Sequence, residues 1–343
     1  MSDAIVVEGL RHRYGGLDVL KGVSFTVHAG EVFGILGPNG AGKTTLSSIL
    51  TSQLRPTSGS VSLLGLDPVS KGGELRRRIG LAAHELRMSE HLTGLQALRF
   101  QGHLYGLHGF SLEKRIRDLI TIVGLEHKQD GLIGSYSEGM KRRLNVALSL
   151  VHDPEVVFLD EPTSGLDPLG RRQVWKAIWE LKASGKTLLL TTHYMEEAEF
   201  LCDRIALMDR GVVAALGTPS ELKARMGTGK IIEVGIEASA ELVDEVSRLI
   251  PEGRVYRSMG LNIVTGDPEP ALQRIMKRFI SDPGYGGTRI LLREPSLEDV
   301  FLELTGRSLK EESRASEGEN MKSPAPPEEK TGSSWNPFRH FHE

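Results

Sequence analysis

The chain has one cysteine, Cys202, in 343 residues, so no disulfide can close within it, and the sequence fits a reducing compartment. The cytoplasm is the expected location. No stretch approaches the roughly 18 consecutive apolar residues of a membrane-spanning helix. The opening MSDAIVVEGLRH lacks both the basic lead and the apolar run of a signal peptide. Any role at a membrane is therefore expected to come through a partner. An excess of one charge is missing as well: 42 basic side chains stand against 45 acidic ones, for a net charge of -3. That balance gives no electrostatic reason to expect a nucleic-acid partner. Sustained heptads are also absent, which excludes a long coiled coil.

What is present suits a folded protein of two unequal domains, with 39% hydrophobic and 25% charged residues. From Ile5 to about Gly217, short apolar runs such as VFGILG and EVVFLDE alternate with helical patterns such as RRQVWKAIWELKASG, which predicts an α/β domain with parallel strands. Within the first sixty residues, IVVEGLRHRY and DVLKGVSFTVHAG alternate apolar and polar positions around Gly15-Gly16, as antiparallel strands joined by a turn would. A mixed sheet is implied. From residue 229, strand, helix, strand, strand, helix and strand patterns succeed one another up to 306, an order that suits a small ferredoxin-like α+β domain. Beyond Gly306 the sequence is rich in Glu, Ser, Lys and Pro and reads as a disordered tail over 307–343. Its end, WNPFRHFHE, reads either as an unstructured terminus or as a docking peptide.

The chemistry concentrates in GPNGAGKT, Gly37 to Thr44, which follows VFGILG and precedes the helical KTTLSSILTSQL. The glycines let backbone N–H groups turn inward around phosphates, and the next helix presents its positive end. Lys43 is placed to reach the β- and γ-phosphates, and the Thr44 hydroxyl to ligate Mg²⁺. The apolar strand EVVFLDE ends in two carboxylates. Asp160 is suited to hold Mg²⁺ and Glu161 to polarise the water that attacks the γ-phosphate, although adjacent acids at a strand end can also be plain solvated loop residues.

YSEGMKRRLNVALSLVHDPEVVFLDEPTSGLD resembles the signature helix, Walker B strand and D-loop of the ABC ATPase family, in unbroken order. The resemblance implies a P-loop NTPase, RecA-like α/β core over residues 3–225, with an N-terminal antiparallel β subdomain and an α-helical signature subdomain at about 85–150. It implies an ATP-binding and ATP-hydrolysing transporter subunit, with ATP and Mg²⁺ bound by Gly37, Pro38, Asn39, Gly40, Ala41, Gly42, Lys43, Thr44 and Thr45. Ser137 and Gly139 match the signature residues that contact the γ-phosphate held by an opposite subunit, so a second nucleotide-binding subunit is implied, with Ser164 to Asp167 at the interface. His193 resembles the switch histidine that positions Glu161 and the water, and Tyr14 the aromatic that stacks on adenine. The implied partner is a separate transmembrane permease, and the implied location is the cytoplasmic face of the membrane. HLTGLQALRFQGHLYGLHG and SLEDVFLELTGR resemble segments of the drug-resistance exporter group.

Three positions depart from the family, one of them Met140, which stands at the signature glutamine. His84 stands where a glutamine that helps hold Mg²⁺ and touches the membrane partner is usual. An imidazole is a poorer ligand for a hard cation, so the metal is expected to rest more on Thr44, Asp160 and water. Glu138 replaces a signature glycine and is expected to face outward or to meet Lys141 or Arg142. An ATPase acting on nucleic acid or ribosomes, or an ATP sensor without turnover, are the alternatives that the sequence leaves.

Overall fold

The computed structural model describes residues 2–226, 229–258, 260–280, 285 and 287–306. The expected tail, with WNPFRHFHE, lies outside the described residues.

β1 (Asp3–Tyr14) and β2 (Leu17–His28) pair antiparallel across Gly15 and Gly16, with Gly15 at φ +57°. Only three residues separate β2 from β3 (Val32–Leu36), and Gly30 at φ +81° turns the chain from one layer into the next. After α1 (Lys43–Leu50), β4 (Ser58–Leu63) returns to the free edge of β1, giving a three-stranded sheet ordered β2-β1-β4. The N-terminal strands thus make their own antiparallel sheet. Both edges of β3 are already taken, by parallel neighbours on either side.

The chain continues through α2 (Gly72–Leu75) and β5 (Ile79–Ala82) into the helices α3 (Gly94–Leu104), α4 (Gly109–Ile122) and α5 (Glu138–Ser149). Thr93 and Gln96 close a capping box on α3, and the Ser137 hydroxyl accepts from Met140 N at the start of α5. Such caps are worth about 1 kcal/mol each. β6 (Val156–Asp160), α6 (Pro168–Ala183), β7 (Thr187–Thr192), α7 (Met195–Leu201), β8 (Arg204–Asp209), β9 (Val212–Gly217) and α8 (Pro219–Ala224) come next. The second sheet runs β5-β6-β7-β3-β8-β9; all its pairs are parallel except β8 with β9, so the mixed pairing lies at this edge.

The strands VFGIL, VVFLD and TLLLTT are apolar without alternation because both faces of this sheet are covered. Phe33, Ile35, Phe158 and Leu189 pack with α1 and the three-stranded sheet. Val32, Leu36, Val157, Leu159, Leu188 and Leu190 pack with the helices on the opposite face. Full burial of a side chain such as Phe33 or Phe158 contributes about 2–3 kcal/mol. No helix among the described residues is long and apolar enough to cross a membrane.

A third sheet is built from β10 (Lys230–Val234), β11 (Arg254–Arg257), β12 (Leu261–Thr265) and β13 (Ile290–Arg293), ordered β11-β12-β10-β13 and antiparallel at every pair. α9 (Ala240–Leu249) and α10 (Pro268–Ile280) connect its strands and share one apolar core with them. The last helix among the described residues, α11 (Leu297–Thr305), turns back onto α7 and α8, where Leu297, Val300 and Phe301 join Leu201, Leu222 and Met226 in the larger core.

Candidate nucleotide-binding and hydrolytic site

The parallel strands β3, β7 and β6 lie side by side, so the segments leaving their carboxyl ends meet at one edge of the sheet. The loop 37–42 leaves β3, Asp160 ends β6 with Glu161 directly after it, and His193 comes directly after β7.

The loop is fixed by its backbone. Gly37 N donates to Thr192 O (3.3 Å), Ala41 N to Pro38 O (3.2 Å), and Gly211 N to Ala41 O (3.1 Å). A Cβ on Gly37 would sit 2.2 Å from Met208 O, and one on Gly42, at φ +102°, 2.8 Å from Leu20 Cδ2. Only glycine fits at either place. Asn39 and Gly40 are exposed, and Gly40, at φ +82°, faces open space. The first N–H groups of α1 have no partner within the helix. Loop and helix end together form a concavity of donors suited to phosphate oxygens.

Lys43 is buried at 5% exposure, and its Nζ donates to Gly37 O (2.9 Å) and Pro38 O (3.1 Å). The same nitrogen lies 3.3 Å from Glu161 Oε1. Burial lowers the Lys43 pKa, and the Glu161 charge and hydrogen bond oppose that fall. Glu161 Oε2 accepts from His193 Nδ1 at 3.1 Å. Burial alone would raise the Glu161 carboxyl, but the His193 hydrogen bond and the Lys43 charge outweigh it and hold the pKa at about 2. Glu161 also adopts φ +47°, a left-handed conformation that is strained for a side chain of this kind. Its N–H is clamped by Thr191, through the carbonyl (3.0 Å) and the hydroxyl (3.2 Å). The Thr191 hydroxyl in turn donates to Asp160 Oδ1 at 2.5 Å. One threonine therefore holds the Glu161 backbone and the Asp160 carboxylate.

Thr44 is exposed at the start of α1 and Thr45 half-buried. The oxygen donors of Thr44 and Asp160 suit Mg²⁺. Among the described residues no group of three or more His, Cys, Asp or Glu could hold a metal, so an ion here would share its ligands with phosphate and water. Exposed His84 lies just beyond β5, and its Nδ1 faces Arg142 Nη2 at 3.4 Å, a cation that disfavours a metal at that nitrogen. Tyr14 closes the β1–β2 hairpin, 52% exposed and edge-on to His12 at 4.6 Å. Val19 and Leu20 of that hairpin lie against Gly42.

Ser137 caps α5 and is exposed. A Cβ on Gly139 would contact Leu166 (3.7 Å) and the Gly170 Cα (4.0 Å), beside the start of α6. Exposed Asp167 caps α6 by accepting from Gly170 N at 3.0 Å. Glu138 does face outward, 72% exposed, with Lys141 at 3.5 Å.

The burial of two charged residues escaped the sequence reading. Arg142 is half-buried with Nη1 lacking a partner, and it feels Glu138, Glu161, Asp160 and Glu85. Glu197, on α7, is wholly buried. On short amphipathic helices both look like solvated charges, and neither carries a motif that would have exposed it.

A phosphate loop on the middle of a parallel sheet, faced by an acid pair and a histidine, defines a P-loop nucleotide triphosphatase. Residues 20–164 match the family model described as ABC transporter. The chain is 41% identical over 306 residues to the daunorubicin resistance ATP-binding protein of Streptomyces coeruleorubidus, covering 88% of this chain and 96% of that one. It is 39% identical over 311 residues to the Nod factor export ATP-binding protein I of Ralstonia nicotianae, covering 89% and 94%. Among solved structures it is similar to cbiO1 from Clostridium perfringens, part of the ABC transporter complex cbiONQ, with TM-score 0.61, 30% identity, and 73% and 97% of the two chains covered. An ATP binding subunit of an ABC transporter aligns at TM-score 0.60 and 30% identity over 65% of this chain and 93% of the other. The chain belongs to the ABC transporter ATP-binding proteins, the ATPases coupled to transport.

Proposed function

We propose that this protein is the ATPase of an exporter, bound at the cytoplasmic face of a membrane to a separate transmembrane permease and working as a pair of nucleotide-binding subunits. Relatives named for daunorubicin resistance and Nod factor export, matched along nearly their whole length, support the exporter reading. The observation that carries the hydrolytic assignment is the contact chain Lys43–Glu161–His193 at the carboxyl ends of adjacent parallel strands.

In this reading residues 3–225 are the ATPase domain, with a helical part at about 85–150, and 229–306 form a C-terminal extension. Tyr14 stacks on adenine, and the 37–45 segment holds the phosphates. Thr44 and Asp160 hold Mg²⁺, which when bound neutralises charge on the β- and γ-phosphate oxygens. Lys43 leaves Glu161 for the γ-phosphate. Glu161, whose ionised form the His193 hydrogen bond favours, orients and polarises the attacking water. His193 holds the Glu161 carboxylate in place. Ser137 and Gly139 of one copy complete the site of the other, with Asp167 at the same interface; the exposure of Ser137 and Asp167 supports this.

The test is ATP turnover and assembly state of Glu161→Gln. Loss of turnover with accumulation of an ATP-bound dimer, abolished by adding Ser137→Arg, is the expected result. Equal, near-zero rates in the wild type and the variant would instead favour an ATP sensor.

A further inference from the structure

Behind the hydrolytic residues lies a polar cluster sealed from water. Glu197, Thr163 and Thr192 are each no more than 1% exposed. The Thr163 hydroxyl donates to Glu197 Oε1 at 2.7 Å, and Trp175 Nε1 donates to the same oxygen at 3.1 Å. Oε2 is buried and makes no hydrogen bond, although the Thr192 hydroxyl is near enough to favour the ionised form. Burial is the larger effect and pushes the carboxyl above the usual range.

The residues tied together here are the neighbours of the chemistry. Thr163 stands two positions after Glu161, at the entry to the segment Ser164–Asp167. Thr192 immediately precedes His193; its hydroxyl accepts from Tyr194 N at 3.0 Å, and its carbonyl accepts from Gly37 N. Trp175 belongs to α6, whose first turn begins at the interface segment. Glu197 sits one helical turn beyond His193, at the only buried carboxyl position of α7. A buried polar group that was merely tolerated would cost stability without return, and replacing it with an apolar residue would remove that cost.

We propose that Glu197 is a positioning residue for hydrolysis: through Thr163, two residues after Glu161, and through its own helix, which starts just after His193, it fixes Glu161 and His193 relative to each other, and through Trp175 it ties both to α6. Its carboxyl touches neither substrate nor water. The effect is on the geometry of the Glu161–His193 pair, so it falls on kcat while ATP binding, made by the loop 37–45, is spared. This rests on the hydrolytic roles given above to Glu161 and His193.

The test is steady-state ATPase kinetics of the purified full-length chain, with thermal unfolding measured in parallel. Thr163→Val keeps shape and removes the donor; it is expected to lower kcat roughly tenfold, about 1.4 kcal/mol, with KM for ATP within about twofold. Glu197→Ala is expected to do the same, and the double variant to be no worse than either single one, since the two act as one unit. Glu197→Gln keeps an acceptor for Thr163 and Trp175 and is expected to restore kcat to within about twofold. Lowered melting temperatures with wild-type kcat in Thr163→Val and Glu197→Ala, at temperatures where both are folded, would overturn the proposal. So would a rise in KM equal to the fall in rate. If Glu197→Ala does not fold, Thr163→Val and Glu197→Gln decide. Turnover that survives Glu161→Gln would sink the hydrolytic reading itself, an outcome distinct from these.

Discussion

The ammonium of Lys43 lies 3.3 Å from Glu161 Oε1, so the group that would bind the γ-phosphate is held by the group that would activate water. Both are largely buried, and neither is free of the other until phosphate oxygens compete for the lysine.

That competition predicts opposite effects of Glu161→Gln on binding and turnover. Neutralising the carboxylate removes the rival for Lys43. Equilibrium ATP affinity is expected to rise several-fold while kcat falls by roughly 10²–10³. Fluorescent-nucleotide titration and phosphate release measure the two, and weaker ATP binding by the variant would contradict the competition.

Gly42→Ala is expected to abolish ATP binding and destabilise the chain. The left-handed backbone at φ +102° costs about 1–2 kcal/mol for a residue with a Cβ, and the contact 2.8 Å from Leu20 adds overpacking of about 1–3 kcal/mol. Denaturant midpoints give the stability and nucleotide titration the binding; an unchanged midpoint counts against the strain.

His84→Gln should leave folding untouched, since His84 is exposed and its ring meets Arg142 only at 3.4 Å. We expect its effect in the Mg²⁺ dependence of turnover and in stimulation by the membrane partner. If basal rate, Mg²⁺ dependence and stimulation all match the wild type, position 84 carries no coupling.

The Asp299 carboxyl offers a pH-dependent stability test far from the nucleotide. Burial would raise it, but Arg293, Ser296 and Tyr256 hold its pKa at about 2. A depressed carboxylate contributes stability above its unfolded pKa, near 4, that is lost as pH falls through about 2. Asp299→Asn should therefore cost on the order of 2 kcal/mol at neutral pH, and the difference should shrink towards pH 2. Urea midpoints across pH 2–7 check it; a constant difference would contradict it.

The phosphate loop, the acid pair and His193 were legible because each is a local pattern at a strand end, and the strands themselves are uninterrupted apolar runs. Sheet membership was not. Whether β2 joins β3 or only β1 depends on which edges distant strands β7 and β8 occupy, and no local pattern carries that. The burial of Arg142 and Glu197 stayed hidden because burial of a charge on a helix depends on what packs over it, here Thr163 and Trp175 for Glu197.

The seat of α11 on α7 and α8 bears on how this protein could be cut or fused. A sequence reader would sever the chain near residue 227 and expect a freestanding motor. Leu201, Leu222 and Met226 would then face water where Leu297, Val300 and Phe301 now cover them. The hydrophobic seam would become a sticky surface on the very helix that comes after His193. Trimmed versions of this ATPase should aggregate before they fail as enzymes.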